Sequence, residues 1–171
     1  GVPVAQARAR AGIVPGIKVD AGAKPLVLHD GELVTEGLDG LRERLAEYSR
    51  MGARFAKWRA VITIADAKGT PSRGCIEANA QALARYAALC QEACLVPIVE
   101  PEVLMDGAHT LARCAEVTER TLQVVFDALR TQRVLLEGAI LKPNMVVPGL
   151  RCPTQDDADA VADATVRVFR R

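Results

Sequence analysis

Six charged side chains interrupt otherwise apolar runs of this chain. Lys18 stands in "GIKVD", and Lys57 and Arg59 stand in "FAKWRAVI". Glu100 and Glu102 stand in "IVEPE", and Lys142 stands in "GAILKPN". A neutral lysine amine is a nucleophile. A carboxylate moves protons. Lysine and arginine donate to anionic groups such as phosphate. Lys18, Lys57, Glu100 and Lys142 follow one another at 39, 43 and 42 residues. One charged position thus recurs per repeat of some larger unit. Taken singly, a charge at a strand end is ordinarily solvated or ion-paired. Lys57 with Glu100, and Arg59 with Glu102, read equally as structural pairs. The set of four is what suggests a charged active-site mouth.

The unit behind that spacing is a strand followed by a helix. Strands are expected at Gly12–Asp20, Phe55–Ile64, Leu95–Glu102 and within Leu136–Val146, each an apolar run. Leu38, Leu41, Leu45, Tyr48 and Met51 recur at helical steps after the first, with Gly52 as the stop. Ser72 reads as the N-cap of a second helix carrying Ile76, Ala80, Leu83 and Ala87. Leu111, Cys114, Thr118, Leu122, Val125 and Leu129 mark a third. A last helix is expected from Thr154 as cap, with Asp156 and Asp157 in its first turn and Arg167, Arg170 and Arg171 at its end, suiting the helix dipole. Side chains two apart on a strand share a face. Lys57 and Arg59 therefore lie with Phe55 and Val61, Glu100 and Glu102 with Val96 and Ile98, and Lys142 with Ile140. Each strand offers its charge at or toward its C-terminal end, where parallel α/β folds keep their chemistry. Alternating strands and helices leave a doubly wound sheet or a β/α barrel. No G-x-G-x-x-G turn or Walker A motif follows any strand. Eight units of this length would need roughly 330 residues, so four make about half of a barrel. Residues 1–171 read as a single, partial barrel domain.

Composition narrows the function classes. The chain has 171 residues, 50% hydrophobic and 25% charged, with a formal net charge of +1. That balance argues against nucleic acid or an anionic membrane as the main partner, and no apolar run approaches a membrane span. The start, "GVPVAQARARAG", has no apolar core of a secretory leader and no initiator methionine. The chain reads as processed or as a piece of something longer. Cys75, Cys90, Cys94, Cys114 and Cys152 are odd in number and lack a C-x-x-C spacing, so reduced thiols in a cytoplasmic protein are expected. His29 and His109 are the only histidines, and no metal site is expected.

The stretch "LLEGAILKPNM" resembles the Schiff-base signature of class I fructose-1,6-bisphosphate aldolases. "GIKVDAG", "TEGLDGLRERLAEY", "GARFAKWRAVI", "ANAQALARYAALCQEACLVPIVEPEVLMDGAH" and "RCAEVTERTL" resemble the same family in the same order, over nearly the whole chain. The resemblance implies a TIM (β/α)8 barrel of which the family's strands 3 to 6 are present. It implies reversible cleavage of fructose 1,6-bisphosphate to dihydroxyacetone phosphate and glyceraldehyde 3-phosphate, with no metal or other cofactor beyond a covalent lysine imine. Lys142 matches the imine-forming lysine and Glu100 the acid/base of carbinolamine dehydration. Lys57 matches the lysine beside the imine, and Glu102 a second carboxylate that holds the lysines. Arg59 and Lys18 match residues that bind substrate phosphate or hydroxyls. Attack on a ketone needs the neutral amine, and a dry mouth with a neighbouring cation favours that form.

The resemblance also implies what this stretch lacks. The family's first strand carries an aspartate assigned as the base for carbon–carbon cleavage, with serines that help bind phosphate. Its seventh and eighth strands supply a serine, glycines and an arginine for the other phosphate, and its tail ends in a tyrosine. None is found here, so this chain alone is expected to be inactive in cleavage. Two alternatives stand beside the aldolase fragment. One is another Schiff-base barrel enzyme, such as a transaldolase-like or deoxyribose-phosphate-aldolase-like protein. The other is a non-enzymatic half-barrel that binds or self-associates through its open strand edges. A phosphorylated sugar is the expected partner, and a homo-oligomer is expected because tetramers are usual in the resembled family.

Overall fold

Four parallel strands form one sheet: β1 (Gly16–Lys18), β4 (Phe55–Ile62), β5 (Val96–Val103) and β6 (Ile140–Leu141), side by side in that order. The computed structural model describes residues 4–171, and for Ala5 and Gln6 the backbone alone. The expectation about a leader at the chain start bears in part on residues 1–3, which lie outside the described residues. Helix α1 (Val4–Arg10) precedes β1, α2 (Leu41–Arg50) follows it, α3 (Arg73–Glu92) follows β4, α4 (Leu111–Thr131) follows β5, and α5 (Ala158–Phe169) follows β6. The four expected strand–helix units are all present and all strand pairs in this sheet are parallel.

Alternation along the strands sorts side chains to two faces. Ala56, Trp58, Ala60 and Ile62 on β4, with Val99 and Val103 on β5, are buried toward the helices. Trp58 lies beside Tyr86 of α3, ring centroids 5.4 Å apart. The Tyr86 hydroxyl donates to the carbonyls of Ala56 (2.7 Å) and Ile98 (3.2 Å), which ties α3 to both central strands. Helix starts are capped as their sequences dictate. Ser72 accepts the Cys75 N–H and Thr110 the Arg113 N–H. Helix α2 ends at Arg50, and Gly52 takes the left-handed conformation (φ 101°) that lets the chain turn back toward β4.

Three elements differ from expectation. The segment after β1 forms an antiparallel hairpin, β2 (Gly22–Pro25) with β3 (Leu33–Glu36). Its signal was the Asp30-Gly31 pair between short apolar runs. The last helix is capped by Asp157, which accepts the Ala160 N–H at 2.8 Å, rather than by Thr154. The strand expected within Leu136–Val146 pairs over only two residues, after a 3-10 turn at Leu136–Gly138. The reason lies in β5. The Val99 carbonyl accepts the Lys142 N–H, so residues 97, 99 and 101 face β6. Positions 97 and 101 are prolines, which have no N–H to donate. Only Val99 among those three can pair in both directions, and the ladder is short for that reason.

Candidate active site

The face opposite the helices carries the charges, and the strands bring them to one end. Lys57 is aligned with Lys18 across β1 and β4. Arg59 is aligned with Glu100 across β4 and β5. On β6, Lys142 lies one step beyond the last aligned pair, Val99 with Leu141. Glu100 is the centre of the group. Its side chain is only 5% exposed, while Lys142 is 60% exposed. Lys142 Nζ donates to Glu100 Oε1 at 2.5 Å. Lys57 Nζ lies 2.9 Å from Glu100 Oε2. That contact is an ion pair without hydrogen-bond alignment, so Oε2 keeps a lone pair free. Burial alone would raise the Glu100 pKa. The hydrogen bond from Lys142 and the positive charge of both lysines outweigh it and hold the carboxyl below the ordinary carboxylate range.

A second group adjoins the first. Arg59 Nε donates to Glu102 Oε2 at 2.5 Å, and the Glu102 partner raises the guanidinium pKa further. Lys18 Nζ pairs with Asp20 Oδ1 at 2.6 Å. Glu102 sits one inward-facing position beyond Glu100 and meets Arg59, the pair that the residues alone suggest; its ion pair is with that arginine. Among the described residues no three His, Cys, Asp or Glu side chains converge as a metal-binding group. Chemically, the arrangement offers an amine on a carboxylate with a second amine behind it, flanked by two more cations.

Residues 1–171 match the family model of the glycolytic class I fructose-bisphosphate aldolases over the whole chain. The chain belongs to that family. A probable class 1 fructose-bisphosphate aldolase of Xanthomonas campestris is 62% identical over 170 residues, covering 99% of this chain and 50% of the relative. Fructose-bisphosphate aldolase 1 of Toxoplasma gondii is 55% identical over 171 residues, covering 100% and 47%. The fructose-bisphosphate aldolase of Plasmodium falciparum, solved with TRAP and a small molecule inhibitor, superimposes with a TM-score of 0.97 at 51% identity. It covers 100% of this chain and 49% of that one. The chain thus spans about half the length of the relatives it matches, and its four βα units are a partial aldolase barrel.

Within this aldolase half-barrel two contributors were not singled out from the sequence. Asp20, 2% exposed at its side chain, lies beneath Lys18 and accepts the Gly22 N–H at 3.1 Å. Its signal was an Asp two residues before a Gly, the pattern of a side-chain turn. Thr35 of the hairpin donates its hydroxyl to the Arg59 carbonyl at 2.7 Å. No local pattern marks Thr35, because its partner lies 24 residues away.

Proposed function

We propose that this chain carries the imine-forming half of a fructose 1,6-bisphosphate aldolase site. The observation that carries it is the buried carboxylate of Glu100, held between Lys142 and Lys57. Lys142 is the nucleophile. Its amine adds to the C2 carbonyl of the ketose to give a carbinolamine. Glu100 donates the proton that leaves with the hydroxyl as water, and the imine remains. Before attack, Glu100 accepts a proton from the Lys142 ammonium, its nearest partner. Lys57 stabilises the carboxylate to which Glu100 returns once it has given up the proton, and supplies positive charge beside the reacting carbon. Lys18 and Arg59 bind phosphate or hydroxyls of the sugar, and Glu102 orients Arg59. The protonated imine is the electron sink for breaking the C3–C4 bond of fructose 1,6-bisphosphate. The base for that cleavage and one phosphate site belong to strands outside these four units, so the chain alone does not turn over. The complete protein is a metal-free, cytoplasmic homo-oligomer in this reading.

Incubation with dihydroxyacetone phosphate followed by borohydride tests the proposal. A stable adduct at Lys142, located by peptide mass, is expected from a sample folded by circular dichroism. A folded sample with no adduct would count against imine chemistry at this site. Rapid cleavage of fructose 1,6-bisphosphate by this chain alone would sink the division of labour between its halves.

A further inference from the structure

We propose that Asp20 is a positioning residue that builds Lys18 and Arg59 into one subsite for the far phosphate of a bisphosphorylated ketose. The inference rests on the imine role of Lys142. The β1–β4 ladder ends with the Val19 N–H donating to the Lys57 carbonyl at 3.1 Å. The next rung would join the Arg59 N–H to the Val19 carbonyl. That carbonyl is taken instead by Arg44 Nη1 of α2, at 3.0 Å. Asp20 Oδ2 takes over the Arg59 N–H, at 3.4 Å. Its other oxygen holds Lys18 Nζ (2.6 Å) and the Gly22 N–H (3.1 Å). One buried carboxylate thus reaches both cations, Lys18 through its side chain and Arg59 through its backbone. The Lys18 ammonium also donates to the Asp20 carbonyl at 3.1 Å.

The turn that sets Asp20 is fixed from the other side. Gly37 (φ +128°) lies so close that a β-carbon there would meet Ala21 N at 2.8 Å. The Ala21 N–H donates to the Glu36 carbonyl at 2.8 Å. Asp20 is therefore held by the hairpin before any substrate arrives. Its charge is occupied by three donors, and the cations it holds keep their outward faces for an anion.

Position on the sheet decides which phosphate they meet. Neighbouring strands lie about 4.8 Å apart. β4 is two strands from β6, and β1 is three. A phosphate next to the carbonyl carbon stays near Lys142. A phosphate at the other end of a six-carbon chain reaches toward β1 and β4. Asp20 therefore bears on the preference for a second phosphate and not on imine formation.

The test compares fructose 1,6-bisphosphate with fructose 1-phosphate as ketoses trapped by borohydride at Lys142, over a range of concentrations. Asp20→Asn is expected to raise the half-saturating concentration about tenfold for the bisphosphate. Fructose 1-phosphate should stay within about twofold. Lys18→Met should weaken capture of the bisphosphate to a similar extent, and the double variant should be little worse than either single one, since both break one device. Equal weakening toward both ketoses, or no change toward the bisphosphate, overturns the proposal. A parent chain that traps neither ketose would count against the imine reading. The subsite is then decided by following backbone amides during a fructose 1,6-bisphosphate titration. Saturable shifts at Gly22 and Arg59, lost in Asp20→Asn, uphold it, and their absence from the parent chain overturns it.

Discussion

The two faces of the four-stranded sheet are built from alternate residues of the same strands, yet they differ in kind. Toward the helices, Ala56, Trp58, Ala60, Ile62 and Val99 are buried and make apolar contacts. Away from them, Lys57, Arg59, Glu100 and Glu102 satisfy one another as ions. The apolar face gains stability by removing surface from water. The charged face gains little, since burying an ion offsets much of what its pairing returns. Stability and chemistry are therefore separable here by single steps along a strand: Trp58 serves the one and Lys57 and Arg59 the other.

Four substitutions and one change of pH test that separation. Lys142→Met should abolish the borohydride-trapped adduct while leaving the circular dichroism spectrum and unfolding midpoint near those of the parent. Lys68→Met, on an exposed pair with Asp30, should leave both readouts intact. Glu100→Gln should slow adduct formation by about 10²–10⁴-fold, the range of a lost acid/base group, with rapid-quench mass spectrometry as the readout. Trp58→Ala is the mirror experiment. It should cost about 3–5 kcal/mol of stability in denaturant unfolding, with adduct formation falling only as the folded fraction falls. The smallest effect is acid sensitivity. The Glu100 pKa is depressed in the folded chain, so its contribution is present above the ordinary carboxylate value. It is lost as pH falls through the lower folded value. Unfolding midpoints followed below about pH 4.3 should drop more steeply in the parent than in Glu100→Gln.

Much of this was legible because it depends on period alone. A period of two put Lys57, Arg59, Glu100 and Glu102 on one face, and helical steps with Ser72 as cap placed α3. The spacing of Lys18, Lys57, Glu100 and Lys142 gave the size of the repeating unit. What was not legible depends on partners far along the chain. Asp20 and Thr35 find Arg59 across 39 and 24 residues. The length of β6 depends on prolines in β5, about forty residues earlier, so an apolar run of strand-like composition pairs over only two residues. The pairing of Arg59 with Glu102 was legible from strand parity, which puts both on one face of neighbouring strands.

The short β6 ladder has a consequence for register. After Lys142 the chain has Pro143, with no donor, and then Asn144, whose side-chain amide donates to the Val103 carbonyl at 3.2 Å. The asparagine thus adds from its side chain a contact to β5 beyond the two-residue ladder. Val103 lies on the same edge of β5 as Val99, so the two carbonyls grip the segment on either side of Pro143. A slip of β6 by one residue would turn Lys142 away from Glu100, and a slip by two would carry it past. With so few main-chain rungs, the Asn144 amide serves as a second index mark. The lysine-proline-asparagine sequence therefore both ends a strand and fixes the reading frame in which its lysine meets the carboxylate.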